Sequence, residues 1–571
     1  MTKPIALAIA ERLLQDQPTS ALEISAITKK VAKQVKQGLP PYSEIIAALK
    51  QLAHNSKTIK PSQVADHAQV AGLIKLLKKR AVRTLSGVAP VAVLVKPYPC
   101  PGRCAFCPTE LSVPKSYLSN EPAVMRAIRC DYDPAAQIHF RLKALLANGH
   151  QPEKIELIVI GGTWSYLPDK YKYWYIASCF FAANHFQRKA SYLPLKETAT
   201  LAQLKKWLAK EQLINETAAY RLIGITLETR PDYLDHKELA QMRALGATRI
   251  ELGVQAIDDE ILKKNLREST VADIQRATAL ALAYGFKLTY HIMPGLPGSN
   301  PEKDIVMYRG LFSQEDQITV FRTPASVSLT AKTAAYLLQT ALPDNPYNPD
   351  QIKLYPTVVT KGSLLYRWWK AGKYHTYDDD SLAEVIVACK EATPPWTRIV
   401  RLVRDIPAES IVAGSKISNF RQLIQQRGAH CRCIRCREAQ GRVADLAATD
   451  LIIRKYRHAS ADEYFISFES ADGKTIYGFL RLRLASMSPL LELQNTALIR
   501  ELHVYGELAR LGHAGTVQHL GMGKRLMAIA EQLSRQSGQA KIAVISGVGV
   551  RDYYRHLGYR RNGTYMVKRL K

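Results

Sequence analysis

The chain has 571 residues, of which 47% are apolar and 23% are charged. This length exceeds what one hydrophobic core supports, so we expect a globular protein of two to four domains. The sequence has no uncharged apolar run of about 18 residues, and its apolar start continues at once into Glu11 and Arg12. We therefore expect neither a membrane-spanning helix nor a secretory signal.

The net charge of +29 comes from 79 basic and 50 acidic residues. A charge of magnitude about 2–8 is enough to keep a small domain in solution. A larger excess attracts polyanions at long range. We therefore expect a nucleic acid partner rather than a merely solvated surface.

Residues 1–85 are basic, with 14 Lys or Arg against 5 Asp or Glu, and have helical periodicity. Two segments, 28–36 and 73–83, alternate an apolar stripe with cations, which is typical of helices that dock by one face. The alternative is that these cations only keep the helix surfaces hydrated. This alternative is less satisfactory for two basic helices than for one, so we favour contact with RNA. The predicted RNA-backbone contacts are Lys29, Lys30, Lys33, Lys36, Lys75, Lys78, Lys79, Arg80 and Arg83.

Cys100, Cys104 and Cys107 are spaced C-x3-C-x2-C in a Pro/Gly-rich loop after a predicted strand at 90–95. Three thiolates in one loop suit three irons of a four-iron cluster, and they leave the fourth iron open to another ligand. A zinc knuckle is the alternative, but it lacks a nearby fourth ligand. The loop resembles the cluster loop of radical S-adenosylmethionine (SAM) enzymes, in which SAM chelates the open iron. Phe106 would shield the cluster.

From about 90 to 400, predicted strands alternate with predicted helices, which is typical of an α/β barrel or an open parallel sheet. Polar or glycine-rich turns follow the strands, and in such folds these turns converge on one pocket. Residues 313–350 interrupt the alternation as a helix and loop without an assigned role. The clearest strands are 155–160, 222–227, 249–254 and 287–292.

A second cysteine group, Cys431, Cys433 and Cys436, lies between two predicted domains. With His430 or another histidine it would complete a closed zinc site that clips the domains together. A second iron–sulfur cluster and plain reduced thiols are the alternatives. Nine cysteines, six of them in two tight groups, fit metal chemistry in a reducing cytoplasm.

After residue 450 the pattern changes, with a half-exposed strand predicted at 476–484 and a buried one at 498–504. A glycine turn then opens a helix, and backbone N–H groups at such a helix start bind anions. This Q-x-x-G-x-G turn, with the strand and helix after it, resembles the coenzyme A loop of Gcn5-related N-acetyltransferases. Its residues are Gln518, Gly521, Met522, Gly523 and Lys524.

A radical-SAM loop followed by an acetyltransferase fold resembles the catalytic subunit of Elongator, with the compact cysteine spacing of bacterial or archaeal members. The resemblance covers roughly 75–310 and 351–571. It implies an α/β fold in which a partial TIM-like radical-SAM barrel is fused to a mixed α+β Gcn5-related N-acetyltransferase domain. The motifs are 125–129, 161–163, 228–233, 394–398, 404–407, 500–506 and 545–549.

The resemblance also implies domain boundaries: a basic helical tRNA-binding segment at 1–85, the radical SAM domain at 86–400, a linker at 401–445 and an acetyl-CoA-binding domain at 446–571. The implied activity is carboxymethylation of the wobble uridine of tRNA at its 5-carbon. In the scheme of the resembled family, a deoxyadenosyl radical would abstract hydrogen from the methyl of acetyl-CoA, the carbon radical would add to the base, and the thioester would be hydrolysed.

The implied cofactors are a 4Fe-4S cluster, SAM and acetyl-CoA as co-substrate, with zinc as a further candidate. The implied partners are tRNA, an electron donor, and Elongator-like accessory subunits or a second copy of the chain, in the cytoplasm. A protein lysine N-acetyltransferase that uses only the C-terminal domain is the alternative function. An RNA-binding scaffold without activity is a further one.

The resemblance assigns roles to single residues. Lys154, Tyr553 and Tyr554 are the candidate catalytic residues, and the sequence does not decide which tyrosine acts. The segment 265–268 departs from the family pattern, which leaves its SAM or RNA contacts open. The candidate cofactor-binding residues are Gly161, Gly162, Thr163, Glu228, Arg230, Glu501, Leu502, His503, Val504, Gln518, Gly521, Met522, Gly523, Lys524 and Tyr554.

Overall fold

The computed structural model describes most of the chain as an N-terminal helical bundle, a parallel half-barrel and a C-terminal mixed sheet. None of the helices in the described part is long and apolar enough to cross a bilayer. The described residues are 4–54, 67–78, 87–188, 193–440, 445, 447–485, 488–505 and 521–570.

In the N-terminal region, residues 4–54 and 67–78 form four helices that bury their apolar stripes against one another. Ser20 caps the second helix by accepting a hydrogen bond from the Glu23 amide. Lys50 Nζ donates to the Leu146 carbonyl at 3.4 Å and so links the bundle to the half-barrel. The helices are α1 (Ile5–Asp16), α2 (Ala21–Val35), α3 (Tyr42–His54) and α4 (His67–Leu77).

Strands and helices alternate from residue 88 to residue 310, as the sequence predicts. The four clearest predicted strands appear as β2 to β5. The elements are β1 (Val88–Leu94), α5 (Pro122–Ile128), α6 (Pro134–Ala147), β2 (Lys154–Ile160), α7 (Asp169–Asn184), α8 (Leu201–Asn215), β3 (Arg221–Thr229), α9 (His236–Ala244), β4 (Arg249–Gln255), α10 (Asp259–Lys264), α11 (Val271–Ala283), β5 (Lys287–Ile292) and α12 (Pro301–Gly310).

Short strands and helices follow up to residue 437. They are β6 (Ile318–Pro324), α13 (Ala331–Gln339), β7 (Asp344–Asn345), β8 (Gln351–Leu354), β9 (Val359–Thr360), α14 (Leu364–Lys370), α15 (Asp379–Ala392), β10 (Arg398–Arg401), β11 (Ile411–Ala413), α16 (Phe420–Gln426) and α17 (Ile434–Arg437). β8 and β10 complete a seven-stranded parallel sheet of order β1-β2-β3-β4-β5-β8-β10. Parallel strands place all their carboxyl ends at one edge, where ligands bind in such sheets.

The C-terminal part is a mixed sheet of order β17-β18-β16-β15-β14-β13-β12-β6. Its neighbouring strands are antiparallel except for β15 and β16, which are parallel. The elements are β12 (Thr449–His458), β13 (Ala461–Ser470), β14 (Ile476–Leu484), β15 (Thr496–Val504), α18 (Met522–Gln536), β16 (Lys541–Val544), α19 (Arg551–His556), β17 (Arg560–Asn562) and β18 (Tyr565–Arg569).

The segment 313–350, which has no role in the sequence analysis, adds the edge strand of the C-terminal sheet. β6 pairs with β12 from Ile318, opposite Tyr456, to Pro324, opposite Asp450. Beyond it, Gln532 Nε2 of α18 donates to the Leu329 carbonyl at 2.8 Å. The chain therefore leaves the half-barrel, joins the second sheet, and returns to the half-barrel at β8.

β14 is buried along nearly all of its length, so the half-exposed strand predicted there is wrong. Its alternating arginines do not face water. Arg481 lies 3.3 Å from Asp350 at the half-barrel, and Arg483 lies 3.0 Å from Glu463 within the sheet. Buried arginines are tolerated where carboxylates pair with them. Alternating polar residues in a strand usually indicate a face exposed to water, but here they indicate a buried face with ion pairs.

The half-barrel and the segment after β16 of the C-terminal sheet are in close contact at Gly547. A methyl group on this residue would overlap the carbonyl oxygen of Ile223 in β3. Arg551 Nη1, four residues later, donates to Glu216 Oε1 at 3.0 Å, with both side chains buried. The two sheets therefore share a packed, charge-paired interface.

Candidate active site

A cavity of about 1610 Å³ runs through the half-barrel from one edge to the other. At the carboxyl edge of the sheet it is lined by the cysteine loop. Alternate residues of the strands line its middle. At the amino edge it reaches β15 and the start of α18. Its ends are marked by Cys100, Cys104 and Cys107, and by Glu501, Leu502, His503, Val504, Gly521, Gly523, Lys524, Tyr553 and Tyr554.

The cysteine end has the donors that a four-iron cluster requires. Among the described residues that line the cavity, Cys100, Cys104 and Cys107 are the only cysteines, so one iron of such a cluster would have no thiolate. Nη1 of Arg230 and Oε1 of Gln255 are buried at this end and have no hydrogen-bond partner in the described part of the chain. Unpartnered polar atoms at the end of the cavity that holds the three thiols would fit a polar cofactor such as SAM.

The turn after β2 lies against this end. Thr163 Oγ1 is 3.9 Å from Cys100 Sγ, and both Gly162 and Thr163 line the cavity. Gly161 is instead turned toward Val95, where an added methyl group would clash with the valine side chain. Glu228, at the end of β3, lines the cavity and accepts a hydrogen bond from the Tyr117 hydroxyl at 2.9 Å.

A buried charged group lies below this end, on the inner face of β4, β5 and β8. Glu251 accepts a hydrogen bond from Lys353, and its Oε2 lies 3.0 Å from His291 Nε2. Burial alone would raise the pKa of Glu251, but the charge of Lys353 and the contact with His291 hold it well below its usual value. Glu228 lies 3.7 Å from His291 Nδ1. The middle of the cavity is thus polar and fixed.

Lys154 lines the cavity nearer the C-terminal sheet. Burial, with a smaller effect of Arg221, lowers the pKa of its ammonium group. Beside it, Glu156 and Arg249 form an ion pair across the barrel interior. Lys154 is half-buried in the cavity wall, where its ammonium group can contact a ligand that extends from the half-barrel to the C-terminal sheet.

At the end of the cavity that faces the C-terminal sheet, the last residues of β15 lie near the start of α18 and are not paired with β16. β15 pairs with β16 only from Thr496 to Ile499, so Glu501 to Val504 extend past the last paired residue. Gly521 caps α18 in the left-handed conformation with φ 67°. The first backbone N–H groups of a helix lack intrahelical partners and attract phosphate. Lys524 adds a cation, whereas the Met522 side chain is buried in the core.

The two candidate tyrosines have different surroundings. Tyr553 is 40% exposed, and its hydroxyl lies 2.9 Å from the position a side-chain carbon would take on Gly523. Tyr554 is buried and packs edge-on against Tyr559. Burial raises the pKa of both phenols. Both line the cavity, but Tyr553 is the one beside the helix start.

The second cysteine group forms a compact set outside the cavity. The sulfur atoms of Cys431, Cys433 and Cys436 lie within 4.8 Å of one another, close enough for one metal ion. His430 is exposed and does not belong to this set as the described residues define it. Within the described part of the chain, the set thus offers three thiol ligands, one fewer than a closed tetrahedral zinc site uses.

The predicted RNA contacts that fall among the described residues lie on or just after the helices of the bundle and do not line the cavity. Lys29, Lys30 and Lys33 are exposed on α2, and Lys36 is exposed at its C-cap. Lys75 is exposed on α4, and Lys78 follows that helix and is partly buried. The predicted residues Lys79, Arg80, Arg83 and Gln518 lie outside the described residues.

The inner-face charges of the half-barrel were missed by sequence reasoning. The signal that marks them is polar or charged residues at alternate positions of a parallel strand, as with Arg249 and Glu251 in β4 or Lys287, Thr289 and His291 in β5. Strands covered on both faces are normally almost wholly apolar. Such a charge pattern therefore indicates a polar barrel interior.

A parallel half-barrel with a three-cysteine loop at its carboxyl edge defines a radical SAM protein. The family models agree, because the Radical SAM superfamily matches residues 98–308 and the Radical_SAM C-terminal domain matches residues 349–429. The chain belongs to the family that contains the tRNA uridine(34) acetyltransferases and Elongator complex protein 3.

The relatives cover most of the chain. The tRNA uridine(34) acetyltransferase of Dehalococcoides mccartyi (strain CBDB1) is 40% identical in an alignment of 505 residues that covers 86% of this chain and 100% of the relative. Human Elongator complex protein 3 is 35% identical over 87% of each chain. The structure of archaeal Methanocaldococcus infernus Elp3 with an N-terminal deletion matches with a TM-score of 0.67 at 35% identity, covering 85% of this chain and 99% of that one.

Proposed function

We propose that this protein carboxymethylates the wobble uridine of tRNA at the 5-carbon, with acetyl-CoA as the donor. The names of relatives that match over most of their length support a tRNA uridine substrate. The observation that carries the proposal is the continuous cavity, which has three thiols at one end and an anion-binding helix start at the other. A cluster and an acyl donor would share one cavity.

Radical chemistry suits this reaction. The 5-carbon of uracil is a weak nucleophile and the methyl of an acetyl group is a weak electrophile, so a two-electron route has a high barrier. When bound, the cluster and SAM supply the capacity to abstract a hydrogen atom from an unactivated carbon. The protein contributes binding, orientation and exclusion of water.

At the carboxyl edge, Cys100, Cys104 and Cys107 would hold the cluster. Gly162, Thr163, Glu228 and Arg230 would bind SAM; their place in the cavity lining supports this assignment. Gly161 would serve the turn rather than the ligand, since it packs on Val95.

At the opposite edge, the open end of β15 and the start of α18 would bind acetyl-CoA. Glu501 would orient the strand through Lys287, 3.5 Å away, and Arg481, 3.0 Å away. The Tyr553 hydroxyl would donate a hydrogen bond to the thioester oxygen. Lys154, at partial burial inside the barrel, would contact the acyl arm between the two ends.

The remaining parts of the chain support this centre. Residues 1–85 would bind tRNA through exposed lysines of α2, and residues 86–400, 401–445 and 446–571 would form the radical SAM domain, linker and acetyl-CoA domain. The linker thiols Cys431, Cys433 and Cys436 would hold a structural zinc ion. An electron donor, and either accessory subunits or a second copy of the chain, would complete a cytoplasmic system.

A protein lysine N-acetyltransferase is the alternative function, and the observations favour it less. That reaction needs only the C-terminal sheet and the start of α18. It gives no use to the cysteine loop, to the unpartnered Arg230 and Gln255 atoms, or to the passage between the two sheets.

The test is an anaerobic reaction of reconstituted protein with SAM, acetyl-CoA, dithionite and unmodified tRNA, followed by nucleoside mass spectrometry. We expect 5-carboxymethyluridine at the wobble position, and none with Cys104→Ala. Acetylated lysines on added protein substrates without any modified uridine would overturn the proposal.

A further inference from the structure

The cluster loop is held in place by the segment 265–268 between α10 and α11. The Ala105 amide donates to the Asn265 carbonyl at 2.9 Å. Asn265 is itself fixed, because its side-chain amide donates to the carbonyls of Ile261, at 2.8 Å, and Pro297, at 2.9 Å. The loop and this segment therefore form one structural unit, although the sequence departs here from the family pattern.

Arg267 connects this unit to a cluster ligand. Its side chain is buried, with Nη1 3.5 Å from Cys104 Sγ and Nη2 donating to the Gly253 carbonyl. Nε has no hydrogen-bond partner among the described residues. The guanidinium therefore lies between β4 and the thiol, and its hydrogen bonds to Gly253 and Cys104 fix its orientation.

The charge of Arg267 is not neutralised locally. Within the described residues it forms no ion pair with a carboxylate, although nearby Arg230 lies 2.6 Å from Asp232 and 3.5 Å from Glu268. A buried cation acts more strongly on its surroundings than an exposed one, because the effective dielectric constant is lower.

We propose that Arg267 is a positioning residue that raises the reduction potential of the cluster by donating a hydrogen bond to the Cys104 thiolate. Reduction adds negative charge to the cluster, and a donor or cation at its sulfur atoms stabilises the reduced form. Arg267 thereby makes the cluster easier to reduce. The inference deepens the proposed function and rests on it, since it requires the cluster to be bound.

The test compares three variants with the wild type after anaerobic reconstitution without SAM. Iron content is measured for each protein. The midpoint potential of the cluster is measured by a redox titration followed by electron paramagnetic resonance. Arg267→Gln removes the charge and we expect a more negative midpoint potential. Arg267→Lys keeps the charge but loses the planar donor, so an intermediate value is expected. Arg103→Gln is the matched control, because Arg103 is on the cluster loop itself but is 84% exposed.

The outcomes separate the two proposals. Wild-type protein that assembles no four-iron cluster would overturn the proposed function and this inference together. Full iron content with the wild-type potential in Arg267→Gln would overturn the inference alone. Loss of the cluster from both Arg267 variants would also overturn it, because Arg267 would then serve only assembly. A shift in Arg103→Gln as large as in Arg267→Gln would show a general charge effect and count against the hydrogen bond.

Discussion

Arg500 of β15 donates two hydrogen bonds of 2.8 Å each to the carboxylate of Asp350, which precedes β8. Neither side chain is exposed. Burial alone would raise the pKa of Asp350, but the charges of Arg500 and Arg481 hold it below its usual range. Asp350 also accepts from the Leu288 amide at 2.9 Å. One carboxylate thus fixes the half-barrel to the C-terminal sheet at the level of the cavity.

Asp350→Asn should strongly destabilise the protein. Removing one partner of a buried ion pair leaves an uncompensated charge and typically costs about 3–5 kcal/mol. Urea unfolding should show this loss in the free energy of unfolding. Asp380→Asn is the control, because Asp380 pairs with Arg427 but is 83% exposed and should cost at most about 1 kcal/mol. Equal stability of the two variants would contradict the proposed anchoring role of Asp350.

His503 should make stability fall in mild acid. Burial lowers the pKa of this imidazole to about 4, whereas an unfolded histidine titrates near about 6.5. The unfolded state binds the proton first, so stability is unaffected above about pH 6.5 and declines as the pH falls toward about 4.

The measurement is the free energy of unfolding from pH 7 to pH 4 for wild type and His503→Gln. We expect a smaller decline in the variant over this window. His556→Gln, at a side chain that is 76% exposed, should follow the wild type. Parallel curves for wild type and His503→Gln would show that the imidazole is not held neutral.

The two adjacent tyrosines should differ in function. Tyr553→Phe removes a hydroxyl beside the start of α18 and should slow hydrolysis of the acetyl-CoA thioester, measured with tRNA present, about 100-fold, in the range for loss of a proton or hydrogen-bond donor. Tyr554→Phe removes a hydroxyl from a packed core ring and should have a much smaller effect. Steady-state rates of free thiol release measure both. The reverse order would assign the acting phenol to Tyr554.

The exposed face of α2 should contribute to tRNA affinity. Lys29 and Lys33 lie one helical turn apart and are both exposed. Changing both to Gln should weaken tRNA binding and reduce the slope of log affinity against log salt by roughly 0.7–0.9 for each phosphate that these lysines neutralise. Binding is measured by filter retention at several salt concentrations. Lys206 and Lys210, equally spaced and exposed on α8, are the matched pair; an equal effect there would indicate non-specific attraction.

The parallel half-barrel was predictable because its strands carry strong local signals. The predicted strands 155–160 and 249–254 lie within Lys154–Ile160 and Arg249–Gln255. The cysteine loop and the glycine turn were equally visible, because ligand spacing and helix starts are local features. The cavity that brings most of the candidate residues together follows from the order of the parallel strands.

The contacts between the sheets were not predictable, because they join distant segments. β6 has ordinary strand composition, and nothing local shows that it pairs with β12 rather than with its neighbours in the half-barrel. Arg481 occupies an alternating polar position that normally faces water, yet it is paired with Asp350 and Glu501. Arg267 was likewise seen only as a departure from a motif, because its contact with Cys104 spans 163 positions.

The fate of the acetyl carbons tests the proposed reaction most directly. Reconstituted protein is incubated with SAM, dithionite, tRNA and acetyl-CoA labelled at both acetyl carbons, and the wobble nucleoside is analysed by mass spectrometry. If the single cavity joins the acyl donor to the radical centre, the modified uridine carries both labelled carbons. A modified uridine without the label, or label released only as acetate while the base stays unchanged, would contradict that account.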